Sequence, residues 1–184
     1  MPMMWLVAGL LLSTLTSVDE PPVKAELVLR NGDGTGCDRT ATRVELSPAN
    51  DSFTVYYERH VSTSAEPRKN CQLGLRITSV SDARTWAISA VRHSGRAELP
   101  EQATGRLRST FIWDNMGGTD ILDYRFTGPS REPIRTRHEE VPFYEPCGDV
   151  HHVTLVTDTL LAGAAPATLA LDSTTYELSW KKCR

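Results

Sequence analysis

The chain lacks most of the features that announce chemistry. Its four cysteines never stand in C-x2-C spacing, so a thiolate zinc cage has no starting point. No Gly-x-Ser-x-Gly turn occurs, and no loop of the Asp-x-Asp-x-Asp-Gly type that collects oxygens around calcium. No apolar run reaches the roughly 20 residues that a membrane helix needs. Lys and Arg number 20 against 23 Asp and Glu, and the two signs are interspersed. The sequence therefore carries no basic stripe of the kind that polyanion binding uses, and nucleic acid is not an expected partner. No metal or cofactor is expected either. Helical periodicity is nearly absent. Only residues 158–165 have a helix-compatible pattern, and Pro166 ends it.

What is present begins with a leader. Residues 4–12 are uninterruptedly apolar, followed by the small and hydroxylic stretch Ser13 to Ser17 and then Val18-Asp19-Glu20-Pro21-Pro22. That is the layout of a secretory signal peptide, although no Lys or Arg precedes the apolar run. The expected division is 1–17 signal peptide and 18–184 a single domain, with cleavage near Ser17. The location is then secreted and extracellular, with no membrane association after cleavage. About 165 residues remain, one domain's worth.

The mature chain reads as strand, turn, strand. Arg43-Val44-Glu45-Leu46 alternates and stops at Ser47-Pro48. Phe53, Val55 and Tyr57 share one parity, as do Cys71, Leu73, Leu75 and Ile77, and then Trp86, Ile88 and Ala90, with that segment ending at Ser94-Gly95. Gly32-Asp33-Gly34-Thr35-Gly36 opens no helix, so it is read as a turn rather than a phosphate loop. Residues 129–140 are polar and proline-containing and are read as a mobile loop. The expected fold is all-β: a disulfide-stapled antiparallel β-sandwich of about 9–10 short strands.

Four stretches together carry a resemblance. They are Gly36-Cys37 after its glycine-rich turn, Arg68-Lys69-Asn70-Cys71-Gln72-Leu73, Pro146-Cys147-Gly148 and Trp180-Lys181-Lys182-Cys183. In order and spacing the chain resembles a family of secreted fungal and actinobacterial proteins, domain of unknown function 4360. Asp38 stands where that family often has proline. The resemblance implies secretion and a disulfide-bonded β-rich fold. It brings no catalytic residues to carry over.

Cys37, Cys71, Cys147 and Cys183 can pair in three ways. Cys37–Cys71 with Cys147–Cys183 is favoured, because each bridge then closes about 35 residues around its own group of strands. Such closures are worth roughly 3–4 kcal/mol apiece. An even count leaves no free thiol for catalysis.

Other constellations are weak. His151 and His152 are adjacent, so a strand would point them to opposite faces. His60 and His93 end strands and are expected to be exposed. Asp114, Asp120 and Asp123 flank a turn at Asn115-Met116-Gly117-Gly118 and are expected to be solvated. Glu139-Glu140 lie in the polar loop, and Asn50-Asp51-Ser52 is a glycosylation sequon. Aromatic platforms for a sugar would come from Tyr56, Tyr57, Phe143 and Tyr144. Tyr56-Tyr57 must put one ring outward, and Phe143-Tyr144 lies in a proline-flanked loop. No catalytic set can be assigned. The leading expectation is a non-enzymatic extracellular binding module for a cell-wall polysaccharide or a protein partner. The alternatives are a secreted hydrolase with converging carboxylates, or a structural or protective secreted protein.

Overall fold

A computed structural model describes residues 24–37, 40, 42–80, 83–113, 119–140, 142–144, 146–147 and 151–183. The leader at 1–17, Asp114 and the 115–118 turn lie outside these residues.

Strands form wherever one parity is apolar. On Arg68–Ser79 the odd positions Cys71, Leu73, Leu75 and Ile77 are buried while Gln72, Gly74 and Arg76 face away. The same alternation organises eleven strands among the described residues. In chain order they are β1 (Ala25–Asp33), β2 (Thr42–Leu46), β3 (Ser52–Tyr57), β4 (Val61–Thr63), β5 (Arg68–Ser79), β6 (Arg84–Glu98), β7 (Ala103–Trp113), β8 (Thr119–Thr127), β9 (Pro133–Glu139), β10 (His151–Gly163) and β11 (Thr168–Lys182). No helix occurs among these residues.

The strands make two antiparallel sheets. One has the order β1-β5-β10-β7-β8. The other has the order β2-β3-β11-β6-β9, with β4 also paired to β11. Their inner faces close on one another. Leu73, Leu75, Phe111 and Leu155 from the first sheet meet Phe53, Trp86, Leu171 and Tyr176 from the second. Rings knit the layers together. Phe111 meets Tyr176 edge-on at 5.7 Å, and Trp86 meets Trp113 at 5.2 Å. Trp86 Nε1 donates to the Ile77 carbonyl of the opposite sheet at 3.2 Å. Such aromatic pairs add about 1 kcal/mol each beyond their burial.

The expected sandwich forms, with three differences in its elements. The polar segment 129–140 is largely an edge strand, β9, paired to β6 from Ala90↔Glu139 to Arg96↔Pro133. An edge strand needs little apolar surface because one side of its ladder faces solvent. Ile134 alone is fully inward there, and Arg135, Arg137 and Glu139 stay exposed. Residues 158–163 continue β10 rather than turning into helix, because both neighbours hold them: Asp158 sits between Asn70 and Arg108, and Leu160 between Arg68 and Arg106. Likewise, Ser94-Gly95 does not end its strand. At Gly95 a Cβ would lie 2.2 Å from the Ala170 carbonyl oxygen, so glycine lets β11 approach closely.

Two disulfides form, Cys37–Cys71 and Cys147–Cys183. The first leads the chain from β1 into the excursion β2-β3-β4 and back to β5. It is buried, and Gly34 beside it adopts φ +129° where a Cβ would lie 2.3 Å from the Asn70 carbonyl oxygen. The second bridge joins Cys147, ahead of β10 in the chain, to Cys183, the residue after β11, and its Cys147 end is exposed.

Candidate binding face

The outward parity of the five-stranded sheet carries a dense polar array. β7 reads Gly105-Arg106-Leu107-Arg108-Ser109, which puts Leu107 in the core and both arginines outside. Pairing then sets their neighbours. Across β5, β10, β7 and β8 one row is Arg68, Leu160, Arg106 and Arg125. The adjacent row is Asn70, Asp158, Arg108 and Asp123. Asp123 accepts from Arg106 Nε at 2.9 Å, and Asp158 accepts from Arg68 at 3.2 Å. The Arg106 guanidinium holds the Asp123 carboxyl below the usual carboxylate range. Arg108 and Arg125 make no hydrogen bond or close ion pair among the described residues, and Arg108 Nε is buried without a partner. Both act on Asp123 only through space.

Two hollows indent this face. One of about 250 Å³ is lined by Arg68, Arg106, Arg108, Asp158 and Leu160. The other, about 350 Å³, lies between Arg106, Arg125, Thr104, Thr127 and Leu160. Arg106 and the exposed Leu160 line both, so the two hollows adjoin.

The residues singled out from the sequence are dispersed. Tyr57 is interior: its ring is buried and its hydroxyl lies 3.3 Å from both Thr157 and Thr174. Tyr56 sits on the outer face of the other sheet, with the Arg43 guanidinium 4.3 Å from its ring centre. Tyr144 shares a 2.6 Å hydrogen bond with Ser179, and Phe143 is exposed. Along β11 the partners of Tyr56 and Tyr144, Ser173 and Ser179, are six residues apart, about 20 Å. These rings do not make one platform.

His60 and His93 are not exposed strand ends; both are buried. β6 carries a register shift at Ser89, where Ile88 faces Leu178 and Ala90 faces Glu177; it moves the inward parity from Trp86 and Ile88 to Val91, His93 and Ala97, so His93 lands inside. Its Nδ1 lies 3.0 Å from the Thr174 hydroxyl and its Nε2 3.2 Å from that of Ser109. Through Thr174 the chain continues to Tyr57 and Thr157. Desolvation lowers the pKa of His93 to about 4. The Ser109–His93 pair has the composition of a nucleophile and base, but it is sealed between the sheets and serves to satisfy buried polar groups. A third polar cluster sits at the open edge between β8 and β9. There His138 Nε2 is 3.5 Å from Glu140, beside Tyr124, around a slot of about 240 Å³.

The arginines were not visible as a site in the sequence. Their signal was the outward parity of each strand. Which strands lie side by side was not.

A disulfide-bonded, all-β sandwich of two antiparallel sheets with one open, arginine-lined face is thus the class of protein in hand. The chain belongs to the family described as Domain of unknown function (DUF4360), which matches residues 25–183. No curated protein matches the chain. Among solved structures it is similar to the carbohydrate-binding module TmCBM61, described in complex with β-1,4-galactotriose, at 9% identity and a TM-score of 0.35, covering 83% of this chain and 87% of that one. It is also similar to TmCBM27, a carbohydrate-binding module described for specific mannan recognition, at 10% identity and a TM-score of 0.32, covering 86% and 99%. At these values the likeness says nothing about what this chain binds.

Proposed function

We propose that the protein is an exported, non-catalytic module that binds an extracellular polymer, a cell-wall glycan in the first instance, through the outer face of the β1-β5-β10-β7-β8 sheet. Residues 1–17 act as the signal peptide and 18–184 as one domain. The observation that carries this reading is the pair of adjoining hollows around Arg106 and Leu160, set on four hydrogen-bonded strands. Rigid strands hold such side chains at fixed spacing, which lowers the ordering cost of binding. Two disulfides suit an oxidising location.

A hydrolase reading finds less support. Asp158 and Asp123 stand two strands apart, about 10 Å, on either side of Arg108. That separation would suit an inverting glycosidase, but one carboxyl must then keep its proton near neutral pH. Asp123 is held low by Arg106, and Asp158 is ion-paired to Arg68. Asp123, so held, does not keep a proton to donate.

Retention of the purified mature protein on insoluble and gel-embedded polysaccharides, neutral and acidic, tests the module reading. Retention on at least one of them is expected. Failure on all would overturn it.

A further inference from the structure

Four guanidiniums, from Arg68, Arg106, Arg108 and Arg125, share this face with two carboxylates, from Asp158 and Asp123. The patch is therefore positive on a chain whose formal net charge is −3. Arg106 and Arg125 are direct cross-strand partners, an arrangement that costs stability unless an anion sits between them. Asp123 is turned toward Arg106, which leaves Arg125 without a close counter-charge among the described residues. Arg108 is likewise unpaired, with its Nε already stripped of solvent. A partly desolvated guanidinium is a strong fork for a carboxylate, because its donors are planar and fixed.

We infer, building on the module reading, that the ligand is an acidic polysaccharide whose uronate carboxylates bridge Arg125 with Arg106 and engage Arg108. The row from Arg68 to Arg125 crosses four strands, about 14 Å, which is wider than a single sugar ring and fits an extended chain. Leu160 gives the floor an apolar spot for the C–H face of a pyranose, and Thr104 and Thr127 line the same hollow with hydroxyls. A single-stranded nucleic acid would need aromatic stacking surfaces. Every side chain lining the 250 Å³ hollow is aliphatic or charged, and the one ring at its neighbour, Phe126, belongs to the inward parity.

The test is affinity electrophoresis of the mature protein in gels containing polygalacturonate, neutral glucomannan or double-stranded DNA. Polygalacturonate should retard the wild type, less so as salt rises. Arg108→Gln/Arg125→Gln should weaken that retardation by tenfold or more, since each guanidinium–carboxylate hydrogen bond removed accounts for about tenfold in affinity. Arg92→Gln/Arg137→Gln, which removes the same charge from the other sheet, should not weaken it. Equal retardation of wild type and Arg108→Gln/Arg125→Gln would overturn the inference. So would DNA retardation as strong as that by polygalacturonate. Retardation by glucomannan alone overturns the inference and leaves the module reading standing, whereas no retardation by either polysaccharide counts against both.

Discussion

Arg106 on β7 and Arg125 on β8 face one another directly across an antiparallel pair, both on the outer face of the sheet. Nothing in the folding of a sandwich asks for this. Threonine or a carboxylate opposite Arg106 would give a more favourable pair. The arrangement is the kind of local cost that a binding surface retains.

Arg125→Gln should therefore leave the folded protein intact and raise its thermal midpoint by about 1–2 °C at low salt. The gain should shrink as added salt screens the repulsion in the wild type. Differential scanning calorimetry at two ionic strengths measures both effects. A lower midpoint at low salt would mean that Arg125 helps to hold the sheet together, contrary to this account.

Stability should fall steeply in mild acid because of His60 and His93. Burial lowers both to about 4 from the ordinary 6.5, with Lys69 adding to the effect at His60. Between those values the unfolded chain takes up protons that the folded chain refuses. Unfolding is therefore favoured as pH drops from about 6.5, and the loss levels off below about 4. The gap is worth on the order of 3 kcal/mol per histidine. His93→Gln keeps hydrogen-bonding partners for Ser109 and Thr174 while removing the titration. Urea unfolding of this variant at pH 7 and pH 4.5 should show roughly half the wild-type difference. An unchanged difference would place the acid sensitivity elsewhere.

The two bridges should differ in how readily they open. Cys37 and Cys71 are buried in the core, whereas Cys147 is exposed. A reductant must reach the sulfur, so mild reduction should open Cys147–Cys183 first. Peptide mapping after brief phosphine treatment and alkylation reads the order directly. Cys37→Ser/Cys71→Ser should then lower stability by about 3–4 kcal/mol in denaturant unfolding, since the bridge closes a separation of 34 residues. Early labelling of Cys37 and Cys71 would contradict the burial argument.

Much of the scaffold was legible because its information is local. Leu73, Leu75 and Ile77 declare an inward face by period 2 alone, and four cysteines at wide spacing declare staples. The segment around Ile134 was harder to read. An edge strand is built from backbone hydrogen bonds to β6, and those carry no side-chain pattern. His93 was misplaced because Ser94-Gly95 resembles a strand end, while in the fold Gly95 only lets β11 come close.

The sequence by itself determined the all-β class, the inward parity of the strands and the cysteines available for stapling, since each depends on residues within a few positions of one another. The tertiary structure decided which strands became neighbours, and with that the chemistry of the surface. Arg68, Arg106 and Arg125 come from three separate strands and converge only because β10 lies between β5 and β7, and β8 closes the edge. Interspersed along the chain, their charges look balanced. Backbone pairing fixes strands about 4.8 Å apart whatever their side chains carry, and it is this pairing that gathers those arginines on one face.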